Sequence, residues 1–170
     1  MADLRRFLLD KYFPSFIPKS GRLIIVANHA FGVADGTNAL ILGLMAMGIG
    51  ENDEVIVPSH TYIASAASIH FSGAIPIPVE CGDDHMLDPD VIVSAITPQT
   101  KAIMPVHMYG NMCDMNSIME IAKKNDLSVV EDCAECQLST DDKGQIAGTV
   151  GDVGSWSFEN SKHLTTGDGG

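Results

Sequence analysis

Short β-rich runs alternate with helical patterns from residue 36 onward, and this alternation restricts the fold more than any other feature of the sequence. Parallel strands need a crossover connection long enough to contain a helix, so the alternation is typical of βαβ units. The runs that read as strands cover residues 54–57, 75–79, 101–106, 127–131 and 154–158. The pattern predicts an α/β fold with a mostly parallel sheet.

Four helical patterns accompany these runs. Residues 38–47 are apolar on all sides, which predicts a buried helix, and a second helix is expected over residues 61–71. Asp88 suits the N-cap and Pro89 the first position of a third helix. Asp114 suits the N-cap of a fourth helix, whose methionines fall at core positions. Each helix therefore has a recognisable start or an apolar face to bury.

The composition is that of one globular domain without a membrane anchor. The chain has 170 residues, of which 45% are hydrophobic and 19% charged. The longest apolar run, residues 39–49, is far shorter than the roughly 20 residues of a membrane span, so no transmembrane helix is expected. No signal peptide is expected either, and the cytoplasm is the expected location. A formal net charge of −12 argues against a nucleic-acid partner.

The cysteines include one C-x-x-C pair, Cys133 and Cys136, whose spacing would allow the two thiols to bind a metal or to act in redox chemistry. A second C-x-x-C and an H-x(3–5)-H pair are both missing from the sequence. The four cysteines also lack the dense spacing of a small secreted protein. We therefore expect free thiols and no metal site.

Polar residues at the carboxyl ends of the predicted strands are the first candidates for a binding site, because ligands of open parallel sheets collect there. They occupy residues 58–62, 131–135 and 157–162. Residues 35–38 open a buried helix, whose free amides can bind phosphate, although such a sequence can equally be a turn and an N-cap. Lys162, between a strand and a glycine-rich turn, suits covalent chemistry, but an isolated lysine can equally be a solvated charge.

Five segments occur together in the order and at the spacing of one known family: residues 36–40, 53–58, 105–110, 130–134 and 157–162. From about residue 28 to residue 170 the chain resembles the DegT/StrS family of sugar-nucleotide aminotransferases, which depend on pyridoxal 5'-phosphate (PLP). The resemblance implies the three-layer α/β/α large domain of the type I PLP-dependent transferases, in truncated form. It leaves residues 1–27 as an atypical N-terminal segment and implies that the C-terminal small domain is absent.

The resemblance also implies roles for individual residues. Lys162 matches the lysine that holds PLP as a Schiff base and moves the proton during transamination. Asp132 matches the acid that keeps the pyridine nitrogen of the cofactor protonated. Tyr62 matches an aromatic ring that stacks on the cofactor. The remaining matches are the phosphate-binding residues Gly36, Thr37 and Ser157 and a residue beside the cofactor, Glu135.

By this resemblance the protein is expected to move an amino group from an amino acid, such as glutamate, to a nucleotide-linked keto-deoxysugar in amino-sugar and polysaccharide biosynthesis. A homodimer is expected, in which two subunits build each site, so the truncated chain alone should be inactive. Lys162 argues against the family's dehydratase branch, which has histidine in its place. A catalytically silent PLP-binding or regulatory relative remains open, as does a plain nucleotide-binding domain, although no G-x-G-x-x-G follows the first strand.

Overall fold

A computed structural model describes residues 23–24 and 35–170 of the chain. The described residues form six strands and four helices, and their bounds in chain order are β1 Leu23–Ile24, α1 Gly36–Ala46, β2 Glu54–Pro58, α2 Ile63–Phe71, β3 Ile75–Val79, α3 Pro89–Ala95, β4 Thr100–Ile103, α4 Met115–Asn125, β5 Ser128–Asp132 and β6 Val153–Ser155. The predicted segment 1–27 lies outside the described residues apart from β1, so its boundary stays a prediction.

The six strands form one parallel sheet in the order β1-β6-β5-β4-β2-β3. This confirms the predicted α/β class and the mostly parallel sheet. Strand β3 lies at the edge, where Pro76 and Pro78 can lack an amide donor without breaking an inner ladder. The chain moves outward from β2 to β3 and then returns to β4 on the other side of β2. The strand order therefore reverses between β2 and β4, and such a reversal opens a crevice at the carboxyl ends of the strands.

The helices cover the two faces of the sheet in pairs. Helix α1 packs against α2 and against β5 and β6, whereas α3 packs against α4 and β3. Right-handed crossovers explain why the helices pair in this way. The chain moves outward from β2 to β3 through α2, and it moves in the opposite direction to β4 and β5 through α3 and α4. Helix α2 therefore lies on one face of the sheet, and α3 and α4 lie on the other. The arrangement is the expected three-layer α/β/α architecture.

The hydrophobic core fills the space between these layers. Val55, Ile56 and Val57 of β2 are fully buried, as expected for a central parallel strand covered on both faces. Helix α1 is the helix with apolar residues all round, and Leu40 and Leu44 are buried. None of the helices in the described part of the chain is long and apolar enough to cross a membrane.

Two helices begin at positions other than those predicted. Helix α1 begins at Gly36, two residues earlier than expected, because Asp35 is the N-cap and accepts a hydrogen bond from the Asn38 amide at 2.8 Å. Helix α2 begins at Ile63 because Tyr62 has extended backbone and serves as its N-cap. The predicted caps Asp88 and Asp114 are confirmed for α3 and α4.

Two strands are shorter than predicted. Strand β4 ends at Ile103 and not at residue 106, because Pro105 has no amide hydrogen to continue the ladder. Pairing resumes once beyond it, where Val106 bridges Asp132. Strand β6 ends at Ser155, and the chain then turns so that Ser157 approaches the first residue of α1. Both departures bring loop residues to the carboxyl end of the sheet.

Candidate functional site

A cavity of about 500 Å³ lies at the carboxyl ends of the central strands, next to the reversal of strand order. Its lining comes from the start of α1 and from the loops that follow β2, β4, β5 and β6. All seven residues predicted to bind a cofactor line it: Gly36, Thr37, Tyr62, Asp132, Glu135, Ser157 and Lys162. Residues from distant parts of the sequence therefore meet in one site.

Asp132 lies at the base of the cavity as the last residue of β5. Its side chain is buried, and burial raises the pKa of the carboxyl group, although hydrogen bonds from Ser65 and Ala134 act in the opposite direction. The Ser65 hydroxyl donates to Oδ2 at 2.8 Å, and the Ala134 amide donates to Oδ1 at 3.1 Å. A buried carboxylate with so few partners is well suited to a cationic group of a ligand.

Lys162 approaches the cavity from the loop that follows β6. Its Nζ lies 3.8 Å from Oε1 of Glu135, and both side chains are partly exposed. The positive charge of Lys162 also acts on Asp132, whose pKa it lowers slightly against the larger effect of burial. The amine and the two carboxylates thus belong to one electrostatic group within the cavity.

The loop that carries Lys162 is held by hydrogen bonds at both of its ends. The Phe158 amide donates to the Gly169 carbonyl at 2.9 Å, and the Lys162 amide donates to the Glu159 carbonyl at 3.0 Å. Gln137 joins this loop to the one that follows β5, since its side chain donates to the Ser157 carbonyl and accepts from the Leu164 amide. The lysine therefore extends from a fixed turn.

Gly36 and Ser157 lie against each other at the start of α1. A Cβ atom on Gly36 would lie 2.8 Å from the Ser157 Cβ, closer than real side chains approach. The glycine thus lets the first turn of α1 meet the end of the β6 segment. Free amides at the start of a helix, together with the Thr37 and Ser157 hydroxyls, form a suitable receptor for a phosphate group.

Tyr62 lines the cavity from the N-cap of α2. The side chain is 70% exposed, which is unusual for a large aromatic residue in a compact α/β domain. An exposed ring that lines a cavity offers a flat surface on which a planar ligand can stack. The stacking role of Tyr62 stays a prediction.

A second cluster of titratable residues, His107, Glu131 and Cys133, lies buried beside the site, with one ligand atom of each within 4.8 Å of the others. The potential ligand atoms of His107 and Glu131 are engaged in hydrogen bonds within the protein. Glu131 accepts hydrogen bonds from His107 and from the amides of Gly148, Val150 and Gly151. Burial raises the pKa of the Cys133 thiol well above its ordinary value. The cluster fastens the loop before β6 to the end of β5.

The hydrogen bonds of His107 define its tautomer. Its Nδ1 accepts from the Cys113 amide at 3.1 Å, so the ring proton lies on Nε2 and is donated to Glu131 at 3.0 Å. Burial alone would raise the pKa of Glu131, but the bonds from His107 and from the Gly151 amide outweigh it and lower that pKa. The pair is thus a neutral imidazole that donates to an ionised carboxylate.

Sequence patterns did not single out every residue of the site. Ser65 lines the cavity and connects α2 to Asp132, but it lay outside the predicted candidate segments, because a serine in an apolar helical pattern gives little signal of a site. Asp35, Thr61, Glu159 and Ser161 also line the cavity. They fell within the candidate segments 35–38, 58–62 and 157–162, but no individual role was predicted for them.

Comparison with known proteins gives a family match over most of the chain. Residues 22–170 match the model of the DegT/DnrJ/EryC1/StrS aminotransferase family. The chain is 44% identical, over 98% of its length, to GDP-perosamine synthase from Caulobacter vibrioides, of which it covers 47%. It is 46% identical, over 84% of its length, to dTDP-3-amino-3,4,6-trideoxy-alpha-D-glucose transaminase from Streptomyces venezuelae, of which it covers 38%.

Solved structures share the fold as well as the sequence pattern. NtdA from Bacillus subtilis, with the cofactor PMP bound, superposes with a TM-score of 0.70 at 37% identity. The superposition covers 78% of this chain and 30% of NtdA. The chain spans about half the length, or less, of the curated relatives it matches.

Proposed function

Because the chain belongs to the DegT/DnrJ/EryC1/StrS aminotransferase family, we propose that it carries the cofactor site of a PLP-dependent aminotransferase that acts on nucleotide-linked keto-sugars. One observation supports the proposal most strongly: a single cavity is lined by the Lys162 amine, the buried Asp132 carboxylate and the Gly36–Ser157 contact. These groups are the ones that an aldehyde, a pyridine nitrogen and a phosphate require. The residues of the cavity therefore fit PLP.

PLP, when bound, supplies an aldehyde that takes up amino groups and a ring that withdraws electrons. In the proposed site the Lys162 amine would hold the aldehyde group of the cofactor and would move a proton of the amino donor. The Asp132 carboxylate would hold the ring nitrogen and favour its protonated form. Tyr62 would offer its ring as a stacking surface.

The phosphate of PLP would be held at the start of α1. The Asn38 amide is capped by Asp35, which leaves the Gly36 and Thr37 amides as the donors of the first turn, and the positive end of the helix dipole favours an anion. The Thr37 and Ser157 hydroxyls add neutral donors to the same place. The chain has a net charge of −12, so local donors of this kind would hold the anion against the overall charge.

Glu135 would act on the lysine. Its carboxylate lies 3.8 Å from the Lys162 Nζ and is 34% exposed, so it would help to position the lysine side chain. With Lys162 holding the cofactor, the carboxylate would be free to contact the cofactor ring or the incoming amino group. We assign it a supporting role in positioning and none in proton transfer.

The substrate class rests on the relatives. Two of the relatives are named for a GDP-linked and a dTDP-linked amino sugar, which supports a nucleotide-linked keto-sugar as amino acceptor. Glutamate is the proposed amino donor. A homodimer in the cytoplasm completes the proposal, in which a second subunit would close the exposed side of the cavity near Tyr62.

A half-reaction tests this function without knowledge of the sugar. PLP-loaded protein is mixed with L-glutamate, and the absorbance of bound cofactor is followed as its aldehyde form becomes the amine form. Because the chain alone is expected to be inactive, the assay uses it within a protein of the relatives' full length. There we expect conversion in the wild-type protein and none in Lys162→Ala, whereas Lys143→Ala, a change of an exposed lysine outside the cavity lining, should convert normally. Tight PLP binding without conversion would favour the catalytically silent relative.

A further inference from the structure

We infer that Ser65 is a positioning residue for the proposed reaction: its hydroxyl holds the Asp132 carboxylate ionised and aimed at the cofactor ring. The inference rests on the proposed function, because that function gives Asp132 a ring nitrogen to face. The Ser65 side chain is buried, lines the cavity and donates to Oδ2 of Asp132 at 2.8 Å. A hydrogen bond to a buried carboxylate is worth more than one between neutral groups.

The bond from Ser65 to Asp132 also determines the direction of the hydrogen bond between Thr61 and Ser65. Thr61 Oγ1 and Ser65 Oγ lie 2.9 Å apart, and either oxygen could donate by geometry alone. The single proton of Ser65 is committed to an ionised carboxylate, which can only accept, so Thr61 must be the donor. Two hydroxyls in series then polarise each other toward Asp132. The chain of bonds would run in reverse if Asp132 were protonated.

The other buried serines of this region use their hydroxyls differently. Ser68 donates to the Ser65 carbonyl at 2.7 Å, and Ser72 donates to the Ile69 carbonyl at 2.8 Å, so both bond to the main chain of their own segment. Ser65 instead donates out of α2 to the end of β5. Its hydroxyl adds nothing to the helix and fixes a side chain of the site.

Ser65 also links two predicted cofactor contacts. It lies in the first turn of α2, and its amide donates to the carbonyl of Tyr62 at 3.1 Å. The ring that would stack on the cofactor and the acid that would face its nitrogen are therefore joined through one residue.

Other charges around Asp132 do not replace this bond. The titratable groups that share the cavity or lie against its base are Asp35, Tyr62, His107, Glu135, Glu159 and Lys162. Lys162 is the one permanent cation among them, and it is partly exposed and 3.8 Å from Glu135. In the proposed enzyme its amine would be engaged with the cofactor. Neutral donors then provide the remaining stabilisation of the Asp132 carboxylate.

The test uses PLP labelled with ¹⁵N at the ring nitrogen, bound to wild-type protein and to Ser65→Ala, Thr61→Val and Ser68→Ala. The ¹⁵N chemical shift reports whether the ring nitrogen carries a proton, and a titration gives the Kd for PLP. For Ser65→Ala we expect a shift toward the unprotonated value at pH 7 and roughly tenfold weaker binding, the size of one charge-assisted hydrogen bond. Thr61→Val should show a smaller effect of the same sign.

Ser68→Ala is the matched control, because it removes a buried hydroxyl from the same helix without touching Asp132. If Ser65→Ala keeps the wild-type chemical shift, or if Ser68→Ala changes the shift equally, Ser65 has only a structural role and the inference is overturned. Both of those outcomes leave the proposed function intact. If wild-type protein takes up no PLP, the proposed function and this inference fall together.

Discussion

Asp132 is placed by three kinds of contact that together define its chemistry. Strand β5 brings it to the cavity, the Ala134 amide orients one oxygen and Ser65 orients the other. Burial raises the pKa of the carboxyl group, because its ionised form is less stable in the protein interior than in water. A protonated ring nitrogen would offset this cost of burying the charge, so Asp132 should bind a cationic partner more tightly than a neutral one.

Replacing Asp132 with asparagine tests this preference. The amide has nearly the same shape but no charge, so the ring nitrogen should lose its proton. We expect the half-reaction with glutamate to slow by roughly 100-fold or more, the size of losing one electrostatic contact in an active site. Stopped-flow absorbance measures the rate. A rate within a few-fold of wild type would show that the carboxylate does not face the ring.

At the scale of elements, the contact between α1 and the segment after β6 depends on Gly36. In Gly36→Ala the new methyl group would meet the Ser157 Cβ at 2.8 Å, and both atoms belong to ordered backbone segments. Relief of such overpacking costs about 1–3 kcal/mol, so PLP binding should weaken by roughly tenfold or more. Fluorescence titration with PLP gives the Kd.

Gly43→Ala is the control for helix α1. The added methyl group would lie 3.1 Å from Cγ1 of Val153, a side chain that can adjust, and Gly43 is not part of the cavity lining. We expect PLP binding close to that of wild type. Equal loss of binding in the two variants would mean that any disturbance of α1 is sufficient, and that Gly36 has no particular role.

Glu131 joins β5 to the loop before β6 and to the segment after β4. Its two oxygens accept from three amides and from His107, and all of these groups are buried. In Glu131→Gln the NH₂ group of the new side chain would point at N–H donors and could not accept from them. We therefore expect a loss of about 3 kcal/mol or more in the free energy of unfolding. Urea unfolding of protein without cofactor measures it. Glu120→Gln, an exposed change on α4, should alter stability by less than about 0.5 kcal/mol.

The same substitution should change the pH dependence of stability. The pKa of Glu131 is held below its ordinary value of 4.5. Its stabilising contribution is therefore complete above that value and is lost as the pH falls through the lower native pKa. Wild-type protein should lose stability over this acidic range more steeply than Glu131→Gln. Parallel curves for the two proteins would contradict the assignment of an ionised Glu131.

Much of the fold was predictable because its signals are local. Alternating periodicity predicted the α/β class, and Asp88 and Asp114 predicted two helix starts. Motif matches also identified residues that the fold brings into one cavity. One error was local, since the strand predicted through residue 106 stops early before Pro105, which has no amide hydrogen. Ser65 escaped prediction because a tertiary contact defines its role, and its bond to Asp132 joins residues far apart in sequence.

The molecule as a whole places its site at the reversal of strand order, at an edge where four loops and a helix start converge. Binding at such a junction ties several elements together, so it should stabilise the entire fold. At a PLP concentration 100 times Kd, the gain is about 2.7 kcal/mol, which corresponds to a rise of about 5–10 °C in Tm. Differential scanning fluorimetry can record the change. Pyridoxine 5'-phosphate, which has no aldehyde, should raise Tm less, and an equal rise would argue against a covalent bond.

The central claim is that Lys162 holds PLP covalently in this cavity. Borohydride reduction of PLP-loaded protein makes such a bond permanent, and mass spectrometry of the digested protein then identifies the modified lysine. The account predicts a phosphopyridoxyl group on Lys162 at near-stoichiometric yield, with Lys101, Lys123, Lys124 and Lys143 unmodified. Modification of a different lysine, or a low yield spread over several lysines, would contradict it.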